Sequence, residues 1–273
     1  MISVLFYVFV FMFGIIIGSF LNVCILRIPL KETIVSERSH CMSCGHQLAW
    51  YDLFPLFSYL FLGGKCRYCK QKISPQYPIV EFLNGAFVVL SFMLGGFWPH
   101  DIMMILDWRL FAFSFLVLLL TAVMCSVLIV ITVIDWRTFE IPIGCNIFIL
   151  VLGVIRLAAN LIVFGTEGNW LEYVIGFFVV SVPLAIIYYA SKGRAIGGGD
   201  VKLMAVAGLF LGWKLVIVAL IAGCLYGSVI HIIRMKVSGE GKQLAMGPYL
   251  SAGIVTAMWF GGFIVEWYSG FFI

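Results

Sequence analysis

Apolar stretches long enough to cross a bilayer recur along nearly the whole of this 273-residue chain, and nothing else about it narrows the possible folds as much. A hydrocarbon core of about 30 Å takes roughly 17–25 apolar residues in a helix. Residues 2–26, 79–98, 110–134, 141–164, 171–190, 215–233 and 249–267 meet that need, and an eighth stretch, 201–213, is shorter. Composition agrees: 63% of residues are hydrophobic and 11% charged, against about a quarter charged in soluble domains, and mean hydropathy is +1.11. The stretches share no period and do not alternate in polarity, which argues against a solenoid and a β-barrel. Helices satisfy their own backbone polar groups in lipid. The expected fold is therefore all-α, a polytopic transmembrane protein of about eight helices. The first stretch lacks a basic n-region and a small-residue cleavage site and contains Asn22, so it is expected to stay as a span.

The sizeable polar stretch is 27–78, which holds seven of the 17 Lys and Arg residues and four of the eight cysteines. It is expected to form a small domain between a first helix (1–26) and a helical core (79–273). If the first helix runs inward, this stretch is cytoplasmic. Cytoplasmic segments then carry those seven basic residues plus Arg137, Lys192, Arg194, Lys202, Arg234, Lys236 and Lys242, while the other side has Arg109 and Lys214. That asymmetry is the positive-inside pattern. It requires 201–213 to cross. Two helices separate the cysteine stretch from Asp135, and two more separate Asp135 from Asp200, so all three share one side whatever that segment does. Arg156, on the outer half of its helix, is expected to snorkel outward. Partners expected at this level are the lipid bilayer and no nucleic acid.

Asp135 ends an apolar run, in Ile134-Asp135-Trp136-Arg137-Thr138-Phe139-Glu140-Ile141-Pro142, and Asp200 ends Gly197-Gly198-Gly199-Asp200. An ionised Asp at the centre of a span costs about 2.5–3.5 kcal/mol on insertion scales, so such residues are functional or interfacial. Both readings are open for either residue alone: interfacial charges are ordinary, and Pro142 suits the start of a helix. Three glycines form either a flexible linker or a backbone that a ligand can approach closely. Two carboxylates brought together at a partly desolvated site share a proton and form an acid and base pair, as in aspartic proteases. Their titration belongs to the pair, so neither is assigned a separate role.

Cys41-x2-Cys44 and Cys66-x2-Cys69, with 21 residues between the pairs, approach the double-knuckle zinc pattern. Four thiolates suit tetrahedral Zn2+, and a stretch of about fifty residues without a large apolar core needs such a staple. Gly45 and Gly64 beside the pairs fit knuckle turns. Disulfides are disfavoured on a reducing cytoplasmic face, and thioredoxin-like chemistry lacks its βαβ context. His40 and His46 flank the first pair as possible substitute ligands or solvated side chains.

Together these residues resemble the type IV prepilin peptidases, which are Gly-x-Gly-Asp membrane aspartyl proteases. The likeness rests on Ile-Asp-x5-Ile-Pro around Asp135 and on the box Gly197-x-Gly199-Asp200. It continues in Gly18-Ser19-Phe20-Leu21-Asn22-Val23, Arg27-Ile28-Pro29, Ile73-Ser74-Pro75-Gln76-Tyr77-Pro78-Ile79-Val80-Glu81 and Gly247-Pro248-Tyr249-Leu250. One departure is Ile143, where many bacterial members have Asp after the Leu-Pro. The resemblance implies that Asp135 and Asp200 are catalytic and that the substrates are type IV prepilins or pseudopilins, cut after a short basic leader at a Gly–Phe bond. It also implies a second reaction, N-methylation of the new amino terminus with S-adenosylmethionine, associated with the cysteine loop and with Gly64 and Lys65. No Rossmann-type Gly-x-Gly-x-x-Gly is present to support a methyl-donor site from sequence alone. The expected location is the bacterial inner membrane, with the site facing the cytoplasm.

Cys24, Cys125, Cys145 and Cys224 show no paired spacing and are assigned to packing. His231 and His100 have no carboxylate motif beside them, Trp98, Trp108, Trp170 and Tyr173 suit interfacial anchoring, and Glu81 at a helix entrance is placed to orient the loop or the site. Two rivals remain for comparison: a peptidase without methyl transfer, and a transporter with intramembrane acids, which would show paired half-repeats that are not evident here.

Overall fold

Each long apolar stretch becomes a helix. The computed structural model describes residues 2–35, 38–95, 107–238 and 244–271, so Trp98, His100 and Lys242 lie outside the described residues. The described residues form ten α-helices: α1 (Ile2–Leu30), α2 (Phe57–Phe61), α3 (Gln76–Leu94), α4 (Trp108–Thr138), α5 (Ile143–Phe164), α6 (Trp170–Val179), α7 (Ser181–Ala190), α8 (Gly198–Leu211), α9 (Trp213–Ser238) and α10 (Gly247–Ser269). Among the described residues the β-structure amounts to two isolated antiparallel bridges. Among the described residues seven helical spans, with α6 and α7 counted as one, are long and apolar enough to cross a membrane; the chain is an integral membrane protein. It divides into two compact units, Met1–Met104 and Ile105–Ile273.

In the first unit α1 and α3 run antiparallel at very close range. A Cβ on Gly14 would lie 2.8 Å from the Gly85 Cα, and one on Gly18 would lie 2.7 Å from the Glu81 Cα. Small residues four apart let backbones meet in this way in membranes. Asn22, buried one turn further along, fixes the register: its amide donates to the carbonyls of Tyr77 (3.1 Å) and Gly18 (3.3 Å), and its oxygen accepts from Gln76 at 3.3 Å. The expected end of the first span at residue 26 is passed by one turn. Arg27 lies inside the helix, buried, and donates to the Thr33 carbonyl at 2.9 Å.

The second unit is built around α8. Residues Leu203 to Leu211 are all buried, several with no exposure, so this helix is apolar all round because protein surrounds it on every side. At 1.5 Å per residue its 14 residues reach only about 21 Å, yet its ends meet opposite ends of its neighbours. Gly198 lies against Tyr188 near the end of α7, and Gly199 against Ile141 just before α5. At the far end Gly212 lies against Glu172 at the start of α6. The short eighth segment therefore carries the chain from one end of the bundle to the other, as the charge asymmetry required. Along this path α8 and α6 touch backbone to backbone at Gly208 and Gly176.

The stretch 171–190 is divided at Val180 into α6 and α7. Pro183 explains the break, since it has no N–H for the Val179 carbonyl and its ring crowds that oxygen. The Ser181 hydroxyl takes up the Phe177 carbonyl beside the break. Arg156 does not reach outward. Its guanidinium lies 4.8 Å from the Phe210 ring centre and 5.5 Å from that of Tyr173, with Nε buried, a cation held over aromatic faces within the bundle.

Candidate active site

Asp135 occupies the last turn of α4, where it is 4% exposed. Phe139 takes the left-handed conformation (φ 55°) and donates to the Asp135 carbonyl at 2.9 Å, which closes the helix. The Asp135 carboxylate accepts the N–H of Gly247, the first residue of α10, at 2.9 Å. A Cβ at Gly247 would stand 2.6 Å from the same carboxylate oxygen, so the contact requires glycine. The Gly-Pro-Tyr-Leu motif thus supplies a helix N-terminus, with its free amide and partial positive charge, aimed at a carboxylate.

Asp200 occupies the first turn of α8, beside Gly197 at the helix N-cap. The Gly197 backbone hydrogen-bonds its carboxylate, which also interacts electrostatically with Asp135. A Cβ at Gly197 would come within 2.9 Å of Asp200 Oδ2, and one at Gly199 within 3.1 Å of the Ile141 Cβ. The glycines therefore serve close packing: Gly197 makes room for the carboxylate, and Gly199 lets α8 press against the Ile-Pro entry to α5. Two acids 65 positions apart are gathered at one end of the bundle, where α4 ends and α5, α8 and α10 begin.

Deeper in the same unit lie polar groups that no motif announced. Asn146 is 5% exposed, and neither its amide nitrogen nor its oxygen meets a protein partner; the hydroxyls of Ser251 and Tyr249 are also buried and unpartnered. Ile141 touches Gly199 and Gly153 touches Leu209, so α5 and α8 run side by side in one direction and Asn146 lies about one turn inward of Asp200. Such groups cost roughly 1–3 kcal/mol each when left unsatisfied, and they give the interior hydrogen-bonding capacity that water or a bound backbone can use. A single Asn within an apolar run carries no spacing signal, so composition alone could not reveal it.

The four cysteines of the first unit converge. Their Sγ atoms all lie within 4.8 Å of one another, and Cys41 and Cys69 are 3.9 Å apart. Tetrahedral ligands at about 2.3 Å from Zn2+ stand about 3.8 Å apart, so the cluster can hold a metal ion of this kind. Each pair is a knuckle: Gly45 donates to the Cys41 carbonyl (2.8 Å) and Lys70 to that of Cys66 (3.0 Å). The left-handed residues closing the turns are Gly45 (φ 71°) and Lys70 (φ 61°). Gly64 therefore does not play the knuckle role expected of it; it takes φ 68° just before the second knuckle, with Tyr59 packed over it. Lys65 is exposed and forms a bridge with Lys72. The Cys41 thiol is lowered to about 6, first by the backbone N–H groups of Cys44 and Ser43. In Cys69 the Gln71 backbone pulls downward, but desolvation and the three other sulfurs outweigh it and push the thiol up to about 11.

Fold and site together define a polytopic helical membrane protein with paired aspartates at one end of its larger unit and a metal-binding type of cysteine cluster in its smaller one. Sequence comparison narrows this class. The family model of the bacterial peptidase A24 N-terminal domain matches residues 12–94, and that of the type IV leader peptidase family matches residues 122–232. A protein of Pectobacterium carotovorum subsp. carotovorum is 32% identical over 92% of this chain and 91% of its own length, and one of Bacillus subtilis is 32% identical over 94% and 96%. One of Myxococcus xanthus is 32% identical over 86% of this chain and 65% of its own. All three carry the name prepilin leader peptidase/N-methyltransferase. The chain belongs to the type IV leader peptidase family. No solved structure matches it.

Proposed function

We propose that this chain is a bifunctional enzyme of the bacterial inner membrane that removes the short basic leader from type IV prepilins or pseudopilins and methylates the amino terminus so exposed. The observation that carries the reading is that Asp135 and Asp200 lie at one end of the bundle, within electrostatic reach of each other and with the Gly247 N–H on the first. Such a pair takes a proton from water on one carboxylate while the other donates a proton to the departing amine, so the two act as one unit. A prepilin held by its apolar stem presents its leader at the membrane surface, and the excess of basic loop residues on the site's side argues that this surface is cytoplasmic. By resemblance, the bond cut is Gly–Phe.

The four thiolates hold Zn2+ as a staple for a loop that has little apolar core of its own. S-adenosylmethionine supplies an electrophilic methyl group, and by resemblance Gly64 and Lys65 lie near its site. Lys65 offers an exposed ammonium to a donor that carries a carboxylate, and Gly64 a tight turn beside it. Asp135→Asn and Asp200→Asn are each expected to abolish cleavage of a purified prepilin, seen by mass spectrometry as retention of the leader, with membrane insertion unchanged. Full cleavage by either variant would overturn the pair. Cleaved pilin without the added mass of about 14 Da of a methyl group would reduce the function to peptidase alone.

A further inference from the structure

Between the two cysteine knuckles runs the segment 50–62, Trp-Tyr-Asp-Leu-Phe-Pro-Leu-Phe-Ser-Tyr-Leu-Phe-Leu. Its one charge, Asp52, is turned inward: Asp52 accepts from Arg67 Nε at 2.7 Å and Tyr68 Oη at 3.1 Å, which ties the start of the segment to the second knuckle. The large apolar side chains are left exposed. Trp50 is 79% exposed, Leu60 71% and Phe61 86%, with Leu53, Phe54 and Phe57 also exposed. A run of this kind in open water would be an unusually large apolar patch.

The depth of the segment resolves this. The Leu56 N–H donates at 2.8 Å to Oε2 of Glu81, a buried residue of α3. Glu81 is the sixth residue of that span and lies against Gly18 of α1. From Gly18 the helix α1 continues another 12 residues to Leu30, about 18 Å at 1.5 Å per residue. Leu56 therefore does not sit beyond the ends of the helices but alongside them, five residues in from the start of α3 and level with the part of α1 around Gly18. At this level α1 and α3 themselves expose Phe20 and Phe82, side chains suited to lipid on a membrane span.

We propose that residues 50–62 form a strap lying in the bilayer boundary, with lipid as the occupant of its apolar face and Glu81 as the residue that holds it at depth. The chemistry suits that position: Trp and Tyr favour the interface, and Leu and Phe pass below it. The strap keeps the cysteine cluster against the membrane surface. This inference stands apart from the proposed function, since it concerns the placement of a segment and not a reaction.

The test uses the full-length protein in phosphatidylethanolamine/phosphatidylglycerol nanodiscs, with an aryl diazirine dissolved in the acyl phase and labelled peptides mapped by mass spectrometry. Peptides covering 50–62 are expected to take up about five-fold or more label than the peptide covering the first knuckle, 38–49, because an apolar face buried at the acyl boundary meets the probe and a solvated segment does not. In Glu81→Ala, which removes the acceptor, labelling of the strap is expected to fall, while Glu81→Gln, which keeps it, retains the wild-type level. Strap labelling no greater than that of the knuckle in the wild-type protein overturns the proposal whether or not the variants fold. Wild-type labelling displaced by an added pilin stem peptide also overturns it, by showing that the face belongs to a protein partner.

Discussion

A methyl group added at Gly247 would lie 2.6 Å from Oδ2 of Asp135 and 2.9 Å from its Cγ, so this position tests how strictly the carboxylate is placed. Neither partner can yield easily, because Asp135 is buried and Gly247 begins a helix whose first residues are buried as well. Gly247→Ala is expected to keep the fold and to lower kcat for prepilin cleavage by roughly 10–100-fold, since displacements near 1 Å cost on that scale; steady-state kinetics in detergent would check it, and an unchanged kcat would remove Gly247 from the site. The acids themselves were legible in the sequence because a charge closing an apolar run is costly and conspicuous. Their partner was legible only as a motif. What Gly247 does, reaching Asp135 across 112 positions, depends on how α4 and α10 pack, and no local pattern encodes that. Asn146 was invisible for the opposite reason: it interrupts an apolar helix without any spacing to mark it.

Among the helices, α8 shows most clearly what periodicity can and cannot tell. Its apolar run was too short to be read as a span by length, and only the balance of loop charges required it to cross. The structure supplies the physical reason: with α5, α6 and α9 around it, this helix meets protein and not lipid, so its length need not match a hydrocarbon core. The break between α6 and α7 was legible in principle from Pro183, and the run was continuous enough to hide it. The packing of α8 rests on a backbone contact, since a Cβ at Gly208 would come within 2.0 Å of the Gly176 carbonyl oxygen. Gly208→Ala is therefore expected to push α6 from α8 and destabilise the protein by about 1–3 kcal/mol, the usual cost of overpacking. A thermal unfolding scan in detergent should show a lower Tm, whereas Gly262→Ala, at a position where an added Cβ meets nothing within 4 Å, should leave it unchanged.

For the molecule as a whole, the division into two compact units, Met1–Met104 and Ile105–Ile273, separates the proposed chemistries. Both aspartates, the Gly197 turn and Gly247 lie in the second unit, and all four cysteines, Gly64 and Lys65 lie in the first. If the knuckles serve only the cysteine loop, losing the proposed zinc should disable the proposed methyl transfer and spare cleavage. The Ser replacement of Cys41, Cys44, Cys66 and Cys69 together is expected to bring bound zinc from about one equivalent to near zero, because an alcohol does not replace a thiolate ligand. The same protein should still release the leader peptide at a rate within about three-fold of wild type, since every contact described for the aspartates lies within their own unit and residues that share no partners act nearly independently. Methyl transfer to the cleaved pilin should be lost. Zinc analysis, leader release and methyl incorporation measured on one preparation give three separate readings. Loss of cleavage along with zinc would mean that the staple also supports the aspartate site, and the two units would then have to be treated as one functional body.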